Sequence, residues 1–246
     1  SLTYLAIASG IKNKFSMNRL FLSLTSFLLI FISCNSNEIG KEKDVDPESI
    51  YFDYQVRGEE GDDHVTVLLQ YRFAGENGTT LTIDEPGKVE LDGEVIKVDS
   101  SKMTGAYYEL QRPVSTFEGK HRISFTNRDG KKYTEEFVFG TLSLTPSVPD
   151  SIKRGSIVFQ VNGLAESDRV RVLMTDTSFT GEGINRLETI RDGQIVISEA
   201  DLSGLANGPV QLQLIKETEK DVKNGTTEGG RISISYGLKR EFILKN

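Results

Sequence analysis

Residues 50–73 read IYFDYQVRGEEGDDHVTVLLQYRF, and the alternation within this stretch decides the fold class. Apolar side chains occupy every second position on both sides of an acidic turn; they are Ile50, Phe52, Tyr54, Val56, Val65, Val67, Leu69, Tyr71 and Phe73. A period of two predicts strands with one buried face, because successive side chains of a strand point to opposite sides. Residues 50–73 therefore predict two β-strands joined by a solvated turn at Glu59–Asp63.

The same period continues to the end of the chain, and no segment carries a sustained helical stripe of apolar residues. Asp92-Gly93 and Asp129-Gly130 lie between apolar runs and predict two tight hairpins. We expect seven or eight short strands over residues 49–144, the spacing of a β-sandwich. Glu199–Leu205 favours one helical turn.

Two of the six prolines fall within Thr145–Asp150. Proline cannot donate a hydrogen bond within a central strand, so we place a domain boundary here. Alternation resumes beyond it at Ile157/Phe159/Val161, Val170/Val172/Met174, Ile195/Ile197, Val210/Leu212/Leu214, Ile232/Ile234/Tyr236 and Phe242/Leu244. Two domains follow, residues 49–144 and 151–246, each large enough for its own core without disulfides.

Each half contains an apolar residue and a glycine ahead of a late strand. They are Phe117-Glu118-Gly119-Lys120 before residues 122–126, and Leu205-Ala206-Asn207-Gly208 before residues 210–214. In this arrangement of an apolar residue and a glycine, both halves resemble immunoglobulin-like or fibronectin-type domains of bacterial cell surfaces. The resemblance, which concerns architecture and no single family, implies an all-β chain of two tandem immunoglobulin-like antiparallel β-sandwiches.

The N-terminus carries a different signal. Residues 1–33 contain three basic and no acidic residues. The whole chain has a net charge of −7, so residues 34–246 alone carry a net charge of −10. Residues 20–32 are uncharged and, as a helix, would reach only about 20 Å, less than the ~30 Å bilayer core. A basic start at Met17 followed by a short apolar run predicts a secretory signal peptide, with residues 1–16 as an upstream extension.

Cys34 is the only cysteine and cannot form an intramolecular disulfide. Phe31-Ile32-Ser33-Cys34 resembles the lipobox of Gram-negative lipoproteins, which implies acylation of Cys34, palmitate included, and a membrane anchor. The alternative is a free cysteine in a signal peptide that is cleaved elsewhere. The residue after Cys34 is Asn35 and not the aspartate that marks inner-membrane retention in well-studied Gram-negative lipoproteins. The resemblance therefore implies the outer membrane, on its periplasmic or cell-surface side. Residues 34–48 predict a lipidated cysteine followed by a flexible polar tether.

Catalytic motifs are missing from the sequence. His64 is expected on a solvent face and His121 in a half-buried structural position, and neither G-x-S-x-G nor H-E-x-x-H occurs. We therefore predict a non-enzymatic protein without a cofactor or metal. A glycan hydrolase that uses two carboxylates is the alternative. Glu59–Asp63 offers oxygen ligands for Ca²⁺, although a solvated turn is the favoured interpretation. The acidic body argues against nucleic acid as a partner.

Binding residues are predicted in two loops of the second half, residues 176–185 and 217–230. In an immunoglobulin-like strand order these loops meet at one end of the sandwich. They would form a polar recognition tip for an envelope protein or polysaccharide; its members are Asp176, Glu182, Asn185, Lys220 and Asn224. The alternative is loops without a binding role. The chain has no Trp to stack on sugars, and of Tyr107 and Tyr108 we expect one in the core and one exposed.

Asp150-Ser151-Ile152 resembles the Asp-Ser/Thr-aliphatic sequon for O-glycosylation in some Gram-negative envelopes. The resemblance implies that Ser151 is an acceptor, unless the three residues match by chance. Together these features predict an outer-membrane lipoprotein that acts as a non-catalytic binding or assembly module.

Overall fold

The computed structural model describes residues 38–165, 168–177 and 183–246, and these belong to one compact unit. The first half contains β1 (Ile39–Lys41), β2 (Ile50–Glu59), β3 (His64–Phe73), β4 (Thr79–Thr82), β5 (Lys88–Leu91), β6 (Glu94–Ile96), β7 (Val98–Ser101), β8 (Gly105–Pro113), β9 (Gly119–Thr126), β10 (Lys132–Phe139) and β11 (Ser143–Leu144). The second half contains β12 (Ser151–Lys153), β13 (Ile157–Asn162), β14 (Arg169–Asp176), β15 (Ile184–Thr189), β16 (Gln194–Ile197), the helical turn α1 (Glu199–Leu202), β17 (Gly208–Asp221) and β18 (Gly230–Lys245).

One sheet of eleven strands runs through both halves in the order β1-β4-β3-β2-β18-β17-β14-β15, with β8 beside β3, β7 beside β8 and β12 beside β18. We call it the shared sheet. A four-stranded sheet, β10-β9-β5-β6, completes the first sandwich, and β11-β13-β16 completes the second. The all-β prediction and the two sandwiches are confirmed.

The core of the first sandwich is aromatic. The ring of Phe52 on β2 lies 5.4 Å from Tyr71 and 5.5 Å from Phe125 of the facing sheet, both edge-on. Such pairs add about 0.5–1.5 kcal/mol beyond the burial of their area. The inward positions predicted from the alternation are buried, except Ile234, which is half-buried, and Phe73, which is 39% exposed because β3 ends there.

Both predicted hairpins form. Asp92 and Gly93 have φ values of 51° and 89°, as a type I′ turn requires. In the second hairpin only Gly130 has a positive φ, and the amide of Asn127 donates to Lys131 across a longer loop at 3.0 Å. The second turn therefore differs in type from the first.

The β17–β18 hairpin joins the two halves. Residues 230–237 of β18 pair in parallel with β2, while the rest of β18 continues through the second sandwich. The two strands expected at residues 232–236 and 242–244 are thus one strand of 16 residues. The proline-containing boundary does lie between β11 and β12, but strand pairing crosses from one half to the other.

The segment before β2 differs from the flexible tether expected over residues 34–48. Ile39–Lys41 pair in parallel with β4. Glu42 is only 1% exposed and accepts a hydrogen bond from the Arg128 amide at 3.3 Å. Glu48 accepts from Lys131 at 2.7 Å. A polar segment docks here because an open sheet edge and specific donors receive its backbone and carboxylates.

Candidate functional site

A groove of about 420 Å³ lies on the outer face of the shared sheet, where the two halves meet. The first half lines it with Arg57, Glu59, Asp62, His64, Thr66, Leu68 and Glu109, and the second half with Gln213, Ile215, Ser235 and Gly237. The predicted acidic turn and His64 thus reach the same site. We call it the sheet groove.

The sheet groove exists because β18 carries small residues at its outward positions. Ser235 lies opposite Arg57 of β2, and Gly237 lies opposite Ile215 of β17. Neighbouring strands are ~4.8 Å apart, so the longer side chains on β2 and β17 form walls above these small residues.

Gly237 leaves the floor of the groove open without being required by packing. A Cβ built on it would lie 3.8 Å from the carbonyl oxygen of Leu214 and 3.9 Å from Ile215 Cγ1. Both are ordinary van der Waals distances, and Gly237 is not among the glycines with positive φ. A Cβ at this position would therefore occupy part of the groove floor at ordinary contact distances.

Several charges in the sheet groove lack partners of opposite charge. Arg57 donates to the amide oxygen of Gln55. Across residues 38–165, 168–177 and 183–246, no ion pair holds Arg57, Asp62 or Glu109. Glu59, in contrast, pairs with Lys239 at 2.5 Å. Glu109 accepts a hydrogen bond from the Gln111 side-chain amide at 3.3 Å. The groove therefore presents one guanidinium and two carboxylates that have no ion-pair partner among the described residues.

A second groove, of about 470 Å³, lies on the outer face of the four-stranded sheet. Most of its charges are paired: Arg122 contacts Glu136 at 2.6 Å, His121 contacts Asp92 at 2.8 Å and Lys132 contacts Glu90 at 3.4 Å, while Lys120 has no ion pair among the described residues. These internal pairs leave fewer groups for a ligand than the sheet groove does.

The two histidines have the environments that the sequence predicts. His64 is exposed at the rim of the sheet groove. His121 stacks on Phe117 with ring centroids 3.9 Å apart, and its second ring nitrogen lies 2.7 Å from the Phe117 carbonyl oxygen. His121 is therefore a structural residue.

Among residues 38–165, 168–177 and 183–246, each carboxyl group whose pKa departs from its ordinary value has that pKa lowered. Hydrogen bonds from Lys131 and Tyr133 lower the pKa of Glu48 to about 2, and those from Arg186 and Ser198 lower the pKa of Asp201 to about 2. A hydrogen bond from Arg240 likewise lowers the pKa of Glu60 in the acidic turn. The general acid of a glycosidase needs the opposite shift.

The described part of the chain contains no group of three His, Cys, Asp or Glu side chains placed to hold a metal ion. In the acidic turn Glu59 and Glu60 are engaged by Lys239 and Arg240 of β18. Asp62 and Asp63 are exposed and are the carboxylates of the turn that have no ion pair among the described residues.

The structure does not bring the predicted recognition residues together. Asp176 pairs with Val210 at one end of β17, and Lys220 lies near the other end, about 33 Å away at 3.3 Å per residue. Lys220 pairs with Glu135 of the first sandwich at 3.0 Å, and Asn224 donates to the Thr134 carbonyl at 3.2 Å.

The other predicted tip residues lie at the Asp176 end. Asp176 accepts from the Ala206 amide at 2.6 Å, and Asn185 accepts from Arg171 at 3.3 Å. Glu182 lies outside the described residues. The residues at 217–221 continue as strand instead of forming a loop, because their pairing with β18 extends over the first sandwich.

The remaining predicted positions fall in different parts of the chain. Tyr108 is buried and its hydroxyl accepts from the Ile83 amide at 2.6 Å, whereas Tyr107 faces outward and contacts Asp99. This confirms one core and one outer ring. Ser151 is exposed at the start of β12, and its glycosylation stays a prediction. Cys34 and the signal peptide lie outside the described residues.

Helices are short throughout the described residues, and none has the length and apolar character needed to cross a bilayer.

No protein-family model and no curated protein matches the chain. Among solved structures, it is similar to a tetra-tandem repeat in the extending region of a large adhesion protein (14% identity, TM-score 0.26), covering 78% of this chain and 49% of that one. It is also similar to SGBP-B of the Bacteroides ovatus mixed-linkage glucan utilization locus, in complex with a mixed-linkage heptasaccharide. That match has 17% identity and a TM-score of 0.22, and it covers 82% of this chain and 46% of that one. A third similar structure is DIP-gamma IG1+IG2, with 12% identity and a TM-score of 0.23; the match covers 76% of this chain and 94% of that one. The chain spans about half the length of the first two. TM-scores this low support no conclusion about function.

Proposed function

We propose that this protein is a cell-envelope lipoprotein that acts as a non-catalytic binding or assembly module, with the sheet groove as its ligand site. The observation that supports this most is the groove itself, which both halves build and in which Arg57, Asp62 and Glu109 have no ion-pair partner among the described residues. A few polar groups that converge beside aliphatic side chains are usual in a binding site.

Acylation of Cys34 would hold the module close to a membrane, which we propose is the outer membrane. Five residue steps separate Cys34 from Ile39, the first residue of β1, and they reach at most about 18 Å. Because residues 39–48 belong to the fold, the free tether is shorter than the sequence suggests. Metabolic labelling with a fatty acid tests the anchor: wild type should be labelled and Cys34→Ala should not.

Affinity capture from detergent-solubilised envelopes of the source cells tests the ligand site. Gly237→Val fills the groove floor, and Gln211→Val makes the equivalent change at an exposed outward position of β17. We expect wild type and Gln211→Val to retain the same envelope component and Gly237→Val to lose it. Equal retention by all three proteins would contradict the assignment of the site.

Hydrolysis of an envelope glycan is a second candidate, because Glu59, Asp62 and Glu109 line one groove. Release of reducing ends from envelope polysaccharide by wild type, lost in Glu109→Gln, would favour the hydrolase. The binding module predicts no release by either protein.

A further inference from the structure

We infer that the sheet groove receives an extended polypeptide segment rich in lysine or arginine. This inference rests on the proposed function and names the class of partner. It follows from the shape of the groove, from the charges that line it and from the groups that the lining does not contain.

The shape suits an extended chain. Small outward residues follow one another along β18 at Ser233, Ser235 and Gly237, so the floor is a trough parallel to the strand. Half-buried Ile215 on β17 lies beside Gly237, and half-buried Leu68 lies on β3, beyond β2, at the level of Ser233. The two are three strand spacings apart across the sheet and four residues apart along it, or about 20 Å. A trough of this form accepts a polypeptide lying along the strand, with one aliphatic contact near each end.

The charges favour a cationic segment. Asp62 and Glu109 are exposed carboxylates without a cation partner among the described residues, and Glu59 adds a third acid beside Lys239. Residues 34–246 carry a net charge of −10, which adds a long-range attraction for cations. The guanidinium of Arg57 only donates hydrogen bonds and so suits a backbone carbonyl of the bound segment.

The lining argues against two other ligand classes. The described residues that line the sheet groove include no Phe, Tyr or Trp, and the imidazole of His64 at the rim is their one flat ring, so a sugar has no broad aromatic face on which to stack. An anionic ligand would lie against Asp62 and Glu109 and be repelled by them. A basic polypeptide is the class that satisfies both the carboxylates and the aliphatic walls.

Fluorescence anisotropy with synthetic peptides tests the inference on the purified chain. The probe is a fluorescein-labelled ten-residue peptide of alternating lysine and serine, and the control alternates glutamate and serine. We expect the lysine peptide to bind at least about tenfold more tightly. Exposed ion pairs are worth up to about 1 kcal/mol, or about fivefold each, so Asp62→Asn with Glu109→Gln should weaken binding about three- to tenfold.

Matched variants separate the groove from the general acidity of the surface. Glu241→Gln with Glu199→Gln removes the same two charges outside the groove and should leave the dissociation constant unchanged. Gly237→Val alters no charge but should weaken binding at least about tenfold, whereas Gln211→Val should not. Circular dichroism and the urea midpoint verify that each variant is folded.

Three results would overturn the inference. If Gly237→Val binds the lysine peptide as wild type does, the attraction belongs to the whole acidic surface and not to the groove. If wild type binds the glutamate peptide equally, charge does not select the ligand. Should Gly237→Val abolish envelope capture while wild type ignores the lysine peptide, the proposed function stands and the basic partner is wrong.

Discussion

Asp53 lies on the outer face of β2 with 2% of its surface exposed, and two arginines neutralise it. Arg231 Nε is 3.2 Å from one carboxylate oxygen and Arg72 Nε is 3.7 Å from the other. Arg231 belongs to the second half of the chain and also contacts Glu76. The Arg231–Asp53 ion pair therefore holds β18 against β2.

Arg231→Met should lower the free energy of unfolding by about 2 kcal/mol. Breaking a buried ion pair costs about 3–5 kcal/mol, but Arg72 still compensates part of the Asp53 charge. Urea denaturation measures the loss. Adding Asp53→Asn should restore part of it, because the buried charge is then gone. A single variant as stable as wild type would show that the pair does not hold the strands together.

Glu48 should make stability depend on pH below its ordinary pKa of 4.5. Its folded pKa is lowered to about 2, first by Lys131 and then by Tyr133. A lowered folded pKa stabilises the fold above pH 4.5, and this stabilisation is lost as the pH falls towards 2. The side chain is 42% exposed, so we expect a loss below about 1 kcal/mol.

The measurement is the free energy of unfolding of wild type and Glu48→Gln between pH 2 and 6. Wild type should lose more stability than the variant over that range, and the two curves should converge at the acid end. Parallel curves would mean that the Glu48 contacts do not contribute in solution.

At the scale of elements, the β17–β18 hairpin is the part that unites the fold. Beyond the second sandwich its tip contacts the first sandwich through Lys220 and Glu135, and the buried Thr226 hydroxyl donates to the Ile50 carbonyl at 2.6 Å. Parallel pairing with β2 adds backbone hydrogen bonds along residues 230–237.

Replacing residues 218–234 by Asn-Gly removes the hairpin beyond the second sandwich, since Thr218 and Ile234 are register partners. Phe52–Val56 of β2 then lose their parallel partners, and open edges promote aggregation. We expect the first sandwich to exchange amide hydrogens much faster, while β14 stays protected by its pairing with residues 210–216 of β17. Unchanged protection of β2 would contradict the role of the hairpin.

The sequence predicts those elements whose partners are local. Alternation identifies β2 and β3, and Asp92-Gly93 identifies the turn between β5 and β6. It does not identify residues 217–221 as strand, because all five are polar and no buried face shows. Their partners lie in another part of the chain, and such pairing leaves no local pattern.

The sheet groove was partly visible in the sequence. His64 and the acidic turn stand out because their residue types carry chemistry. Ser235 and Gly237 do not, since a small residue in a strand acquires meaning only when the register shows which longer side chains flank it. For the same reason, the sequence-based hypothesis of a recognition tip in two loops did not include the residues of the sheet groove.

At the scale of the whole molecule, the two sandwiches form one body, and the function proposed here depends on it. Glu109 and Leu68 reach the groove from the first half, and Ile215 and Gly237 from the second. Either half alone would lack one wall. If the halves moved independently, the groove would open and a ligand would lose contacts on one side.

Hydrogen exchange at increasing urea concentrations, resolved by segment with mass spectrometry, tests this most directly. The unity of the two sandwiches predicts that β9 of the first sandwich, β14 of the second and residues 230–237 between them lose protection at the same urea midpoint. Separate midpoints for β9 and β14, with residues 230–237 unprotected before either, would contradict it.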